Sequence, residues 1–336
     1  MASTDATLYV STQAGLFQRS LRARADDVKP LGLQRYGRVW PIVIDRDDPS
    51  RLYAATHRGG VFRSDDAGRS WQEKNEGLLY KETWCIVQHP TSGDLFVGTG
   101  PAAIFKSSDR AETWTHCEQL HTLPETKDWT FPGPPHIAHV KGLGLCQDDP
   151  ALVYAAIEEG WVVRSRDAGA NWTTLKSGSE FDAHTVNVMP NDPNVVISAS
   201  GTGVYRSEDG GDHFVDANDG LTRRYISQIV LHAQEPSVLF TAAAEVPPPF
   251  WRRPEGANAG FFKSVDQGRH WDQLSGGLPQ HFSAAPRATT GDPRTPGSFL
   301  VGMSDGSIWM TNDGGERFEQ IGTGLPPIFG LTISAN

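Results

Sequence analysis

Short apolar runs recur along the chain, and each ends in the same polar turn. Val61-Phe62, Ile104-Phe105, Val162-Val163, Val204-Tyr205, Phe261-Phe262 and Ile308-Trp309 are apolar and strand-prone. Each leads into Ser/Thr-x-Asp-x-Gly/Ala-x-x-Trp/Phe. The six copies are Ser64-Asp66-Gly68-Trp71, Ser107-Asp109-Ala111-Trp114, Ser165-Asp167-Gly169-Trp172, Ser207-Asp209-Gly211-Phe214, Ser264-Asp266-Gly268-Trp271 and Thr311-Asp313-Gly315-Phe318. The pattern predicts a turn leaving a strand: Asp accepts from backbone N–H groups two residues on, and Gly tolerates positive φ. The aromatic residue opens the returning strand with a large face to pack. Upstream lies a second strand, as in Leu52–Ala55 or Val153–Ala156. Before that comes a turn at Asp48-Pro49, Asp149-Pro150, Asp192-Pro193, Glu235-Pro236 or Asp292-Pro293, and then an apolar run such as Ile42-Val43-Ile44 or Val186-Asn187-Val188. One unit is therefore four antiparallel strands, A to D. Asp-Pro sits in the A–B turn and the box in the C–D turn.

Repeats spaced by roughly 40 to 50 residues mean propellers or arrays. Leu8-Tyr9-Val10 and Gly15-Leu16-Phe17 match strands B and C of a further unit, followed by a degenerate box at Ser20 and preceded by no strand A. Gly330-Leu331-Thr332-Ile333 supplies a strand A after the last box. The expected fold is all-β: one seven-bladed β-propeller of four-stranded antiparallel blades over residues 1–336, closed by the C-terminal strand, which removes an open sheet edge. A calcium loop is the other reading of Asp-x-Asp-x-Gly. No Glu stands at the twelfth loop position and most boxes carry one carboxylate, so the turn reading is taken.

These boxes resemble those of the bacterial neuraminidase repeat, or Asp-box, β-propellers. That superfamily includes sialidases, xyloglucan hydrolases, sortilin-type receptor domains and photosystem II assembly factors. The resemblance spans essentially the whole chain and implies the fold rather than one function. Sialidases are six-bladed and carry an Arg-Ile-Pro motif that is missing here. Xyloglucan hydrolases use two tandem seven-bladed propellers with a cleft between them, whereas this chain accounts for one. The assembly factors are similar in size and blade count, and use an arginine patch as a binding surface.

The chain has 336 residues and a formal net charge of −10. That balance excludes nucleic acid and anionic membrane as expected partners. No apolar run approaches the ~18 residues of a membrane helix, and Met1–Ala6 is polar and unlike a secretory leader. Three cysteines, Cys85, Cys117 and Cys146, fit a reducing compartment, so a cytoplasmic location is expected. Cys117 is the one reactive candidate.

In this topology all boxes and Asp-Pro turns share one face. Strand A entries and B–C turns share the other, near the channel mouth. Two box-to-box intervals, 107 to 165 and 207 to 264, are about 15 residues longer than their neighbours, an excess typical of functional loops. The extra length falls in His116–His139 and Glu245–Gly260, both on the channel-mouth face, as a lid or wall. Aligning blades on the Asp-Pro turns brings Arg38, Trp40, Glu82, Trp84, His139, Lys141, Asp182, His184, Tyr225, Ser227, His281, Phe282 and Phe329 into register. The B–C turns add His57, Arg58, Thr99, Glu158, Glu159, Glu245, Ser304 and Asp305.

His139, His184, Lys141 and Glu158 are the acid–base candidates, because imidazole beside a carboxylate or ammonium is tunable near neutrality. Arg38, Arg252 and Arg253 suit a carboxylate or phosphate; Trp40, Trp84 and Trp251 suit a ring. His57, Tyr225, Glu245, His281 and Asp305 complete the expected substrate lining. No cofactor is assigned and no metal, although His57, His139 and His184 could gather one from separate blades. Two readings stand. One is a hydrolase or lyase acting on a small polar or anionic substrate at the channel mouth. The other is a non-catalytic protein-binding or assembly scaffold using the same face. The oligomeric state is not assigned.

Overall fold

A computed structural model describes residues 6–22, 27–232, 234–295 and 297–334. Met1–Asp5, within the segment used to judge a leader, lie outside the described residues, in which no helix is long and apolar enough to cross a membrane. The described residues form seven antiparallel sheets of four strands, and the fold is a seven-bladed β-propeller. The chain divides into two compact units, Val43–Ala217 and Met1–Ile42 with Asn218–Asn336. The first holds blades 2 to 5 and the second blades 1, 6 and 7.

In blade 1 the C-terminal strand Ile328–Ser334 pairs with Thr7–Thr12, in register from Thr7↔Ser334 to Ser11↔Gly330. The chain's end thus supplies the strand missing at its start. Leu8, Val10, Leu331 and Ile333 are buried in one cluster with Leu300 and Ile308 of blade 7.

The boxes are turns with a fixed hydrogen-bond pattern. In blade 4, Ser165 Oγ donates to Asp167 Oδ1 and accepts from the N–H of Gly169 at 2.8 Å. Asp167 Oδ1 accepts from the N–H of Asn171 at 2.7 Å, four residues on rather than the two expected. The serine takes the nearer N–H groups, which frees the aspartate to reach further. The aromatic that follows is buried in five of the six boxes, Trp71 being half-buried. Bonds to Asn171 hold the Asp167 carboxyl below the ordinary carboxylate range. Asp167→Ala is expected to cost about 1 kcal/mol through lost turn hydrogen bonds. Urea unfolding checks this, and an unchanged midpoint would remove the box from the stability account.

The first strand of most blades carries a register shift. It falls at Trp84 in Thr83–Gln88, Lys141 in Val140–Cys146, His184 in Ala183–Met189, Arg287 in Pro286–Thr290 and Phe329 in Ile328–Ser334. A bulge sets two residues against one and re-aims a side chain out of the ladder. Trp84, Lys141, His184 and Phe329, all singled out by sequence analysis, are therefore turned out of the regular ladder of their own sheets.

Two glycines draw blades 4 and 5 together. A Cβ at Gly142 would meet His184 O at 3.0 Å, and one at Gly144 would meet Val186 O at 2.6 Å. Their absence of side chain lets the two first strands approach, which brings Lys141 beside His184.

The first long insertion folds onto its own unit. Short 3-10 turns at Glu118–Thr122 and Pro124–Asp128 bury Leu120 and Leu123 against Phe96, Val153 and Trp172. In the other unit, Pro248–Phe250 form a 3-10 turn, and Trp251 packs on Tyr225 and Ala285.

Candidate active site

The acid–base candidates meet within the unit Val43–Ala217. Glu158 stands on the B–C turn of blade 4, and its Oε2 lies 2.5 Å from Lys141 Nζ and 2.7 Å from His139 Nε2. His184 Nε2 is 3.2 Å from Asp182 Oδ1 and 3.9 Å from Glu158 Oε1. Trp84 stacks flat on His139, with ring centroids 3.4 Å apart and planes at 18°. Phe131, from the first insertion, meets the same imidazole edge-on at 5.0 Å. Backbone bonds fix the turn: Glu158 N–H donates to His139 O, and Thr130 N–H of the insertion donates to Glu159 O.

Depth divides these residues. The side chains of His139 and His184 are 2% and 0% exposed and Glu158 is 6%, while Lys141 is 23% and Asp182 28% exposed. Sequence analysis gives His139 and His184 direct proton transfer to substrate. Burial puts both imidazoles against carboxylates instead, behind the groups that reach solvent. For His139 the stacked Trp84 and Phe131 of the folded insertion are the physical reason.

The charges are strongly polarised. Burial would raise the Glu158 carboxyl, but Lys141, His139 and His184 outweigh it and hold the group well below the ordinary carboxylate range. Burial pushes His139 down from the usual imidazole value, only partly offset by Glu158. Next in sequence, Glu159 moves the opposite way: burial and the charges of Asp182 and Glu158 raise its carboxyl. Glu159 takes φ 51°, so the turn sends two successive carboxylates to different environments.

Glu158, Asp182 and His184 each offer one ligand atom, all within 4.8 Å of one another, and could hold a metal ion. Such an ion would compete with the Lys141 ammonium already on Glu158.

Trp84 Nε1 donates to Glu82 Oε1 at 3.1 Å, and His57 Nδ1 lies 3.7 Å from the same oxygen. These two join the cluster's edge, with His57 and Trp84 centroids 6.1 Å apart.

The other residues predicted to line the substrate belong to the other unit. Arg38 lies over Phe329 at 4.0 Å and over Trp40 at 4.9 Å. Tyr225 meets Trp251 edge-on at 5.7 Å. Glu245 is exposed and accepts from Asn258 Nδ2, whose Oδ1 lies 2.9 Å from Nδ1 of exposed His281. Arg252 is exposed, and Arg253 folds over Phe250 at 4.2 Å. Asp305 is a turn residue accepting from Ser307 N–H and Oγ. His281 precedes the strand Pro286–Thr290 rather than opening it, so the strand A position of blade 7 belongs to Arg287.

Two grooves lie beside boxes, one in each unit. One of about 720 Å³ is lined by Arg22, Arg294 and Arg317, and one of about 660 Å³ by Lys106, His116 and Cys117. Arg294 is already paired with Asp292 at 2.9 Å. Burial pushes the Cys117 thiol up to about 11 and the Cys85 thiol to about 12, so both are poor nucleophiles at neutral pH.

No protein-family model matches the chain. A xyloglucanase of Paenibacillus sp is 23% identical over 338 residues, covering 85% of this chain and 31% of that protein. The chain therefore spans about a third of the relative's length. An ancestral GH74 enzyme of known structure superposes with a TM-score of 0.66 at 20% identity, over 85% of this chain and 39% of that one. YCF48 bound to D1 peptide superposes with a TM-score of 0.55 at 16% identity, over 84% and 81% of the two chains. These likenesses agree with the propeller fold and with the families that the boxes resemble.

Proposed function

We propose that the protein is a hydrolase acting on a small polar, carbohydrate-like substrate at the Glu158–Glu159–Asp182 cluster. One observation carries the reading: adjacent carboxyls are driven in opposite directions, Glu158 toward the anion and Glu159 toward the acid. Opposed pairs of this kind mark acid and base roles, and hydrolysis of a glycosidic bond uses two carboxyl groups. Similarity to a xyloglucanase supports the hydrolase class.

Glu159 is the proton donor to the leaving oxygen in this scheme. Asp182, the more open carboxylate, takes a proton from the attacking water. Lys141 contacts substrate hydroxyls. His139, His184 and Glu158 act as positioning residues that hold Lys141 and Asp182 in place. Trp84 offers an aromatic face of the type sugars stack on. Carboxylates outnumber the single lysine here, which favours a neutral polyol over an anionic ligand at this cluster.

Aryl glycosides and xylo- and gluco-oligosaccharides test the proposal. Glu159→Gln is expected to lower kcat by about 10² or more with an unchanged melting temperature. It is also expected to remove the alkaline limb of the pH–rate profile, where a raised-pKa acid loses its proton. Equal turnover in Glu159→Gln and the parent would overturn the assignment. YCF48 bound to a peptide supports a second reading, a peptide-binding scaffold. Saturable peptide binding without turnover of any glycoside is the outcome that selects it.

A further inference from the structure

Blades 1, 6 and 7 contain an arginine with no carboxylate beside it among the described residues. Arg287 occupies the bulge in the first strand of blade 7. Its guanidinium lies 4.9 Å from the Trp251 ring and 4.7 Å from the Phe329 ring. Its Nε is shut off from solvent and makes no hydrogen bond. Among the described residues no carboxylate approaches within ion-pair distance of Arg287, and its terminal nitrogens make no hydrogen bond while keeping contact with solvent. A guanidinium offers five donors in a planar fork, so an unfilled one in an apolar frame is costly.

The frame itself is fixed. Trp251 Nε1 donates to Val246 O at 2.6 Å, which locks the indole to its own insertion loop. Tyr225 meets the same indole edge-on. Phe329, held in its own bulge, carries Arg38 at 4.0 Å as well, so two guanidiniums share one ring. Like charges this near a common ring repel.

We propose that Arg287, with Arg38 beside the same ring, binds a small oxyanion, a carboxylate or a phosphate group, at the open end of its guanidinium. Both oxyanions present the geometry that the fork accepts bidentately. The aromatic walls lower the local dielectric and exclude water, which strengthens the charge-assisted bonds. Burial holds the Arg287 guanidinium below its ordinary range, offset in part by the Tyr225 phenol. This site uses none of the residues of the carboxylate cluster, and it takes an anion where that cluster favours a neutral polyol.

Titration with inorganic phosphate and separately with gluconate, at constant ionic strength set by chloride, tests it by calorimetry and thermal shift. Saturable binding of either probe is expected, and the probe that binds identifies the oxyanion. Arg287→Met keeps the flat apolar packing and is expected to weaken binding at least tenfold. Without ligand it is expected to melt no lower than the parent, because it removes an uncompensated charge. Arg287→Lys keeps charge but loses the fork, and is expected to bind at least threefold more weakly. If Arg287→Met does not fold, this variant decides. No saturable response in the parent, or an unchanged affinity in the variants that fold, would each overturn the proposal.

Discussion

Glu158→Gln is expected to lower stability at neutral pH by about 3 kcal/mol, the low end of the cost of breaking a buried ion pair. Three cationic or cation-capable groups face this carboxylate: Lys141 at 2.5 Å, His139 at 2.7 Å and His184 at 3.9 Å. Removing the charge strands the Lys141 ammonium in a partly desolvated position. Lys141 is 23% exposed and can swing toward water, which keeps the loss from being larger. The pH dependence is signed. The folded-state value of Glu158 is depressed, so its stabilisation is complete above the ordinary Glu value near pH ~4.3 and is lost as pH falls toward the folded value. The gap between parent and variant is therefore widest at neutral pH and closes below about pH 4. His139 acts in the same direction in the parent: its value is lowered by burial, so the fold loses stability as pH drops below the ordinary imidazole range. Urea unfolding at several pH values measures the gap. Adding Lys141→Met to Glu158→Gln is expected to recover part of the loss, since the stranded cation goes with its partner. A gap under about 1 kcal/mol at neutral pH, or one that widens in acid, would show that the cluster is not a coupled ion network.

The blades were legible because their turns are written in residues with local conformational meaning. Ser165, Asp167 and Gly169 specify a turn whatever surrounds them, and the same three types recur five more times with Thr or Ala as variants. The missing first strand was legible as arithmetic, since Gly330–Ile333 had no other blade to join. The cluster was legible by register. Counting back from Asp149-Pro150 and Asp192-Pro193 places Lys141 and His184 at equivalent positions, and both fall in bulges. The same count failed in blade 7. Eight residues before Asp292 is Ala284, short of the strand Pro286–Thr290; sequence analysis chose His281, whereas the bulge falls at Arg287, only five residues before Asp292. Burial was not legible at all. Whether His139 faces water is decided by the Trp84 stack and by Phe131 of the folded insertion, contacts made by residues distant in sequence. The division of labour between Glu158 and Glu159 was equally hidden, because two identical neighbours differ only in what the left-handed turn at Glu159 shows them. Raised and lowered carboxyls side by side are a property of tertiary placement, with no signature in a sequence that reads Glu-Glu.

Ending the chain at Pro327 is expected to abolish cooperative folding of the unit that holds blades 1, 6 and 7. Ile328, Phe329, Leu331 and Ile333 are all buried, and at about 1.5 to 3 kcal/mol per side chain their loss comes to roughly 6 to 12 kcal/mol. That is comparable to the whole stability of an ordinary domain. The backbone loss adds to it. Thr7–Thr12 pairs with Gly15–Ser20 on one side and with Ile328–Ser334 on the other, so truncation turns a central strand into an edge with unpaired N–H and C=O groups. Leu8 and Val10, fully buried in the intact chain, then face solvent at that edge. Cross-blade support goes too: Thr332 Oγ1 donates to Ile42 O at 3.0 Å, and Pro41 fits against Gly330, where a Cβ would meet the proline Cα at 2.5 Å. Circular dichroism and urea unfolding of the truncated chain provide the measurement, with aggregation through the new edge as the expected companion. A peptide of residues 328–334 added in trans is expected to restore part of the transition by strand addition, because the vacant register is set by side chains already in place on Thr7–Thr12. A truncated chain that melts where the parent does would show that blade 1 holds without its C-terminal strand, and that the match between the two ends of the sequence is incidental to stability.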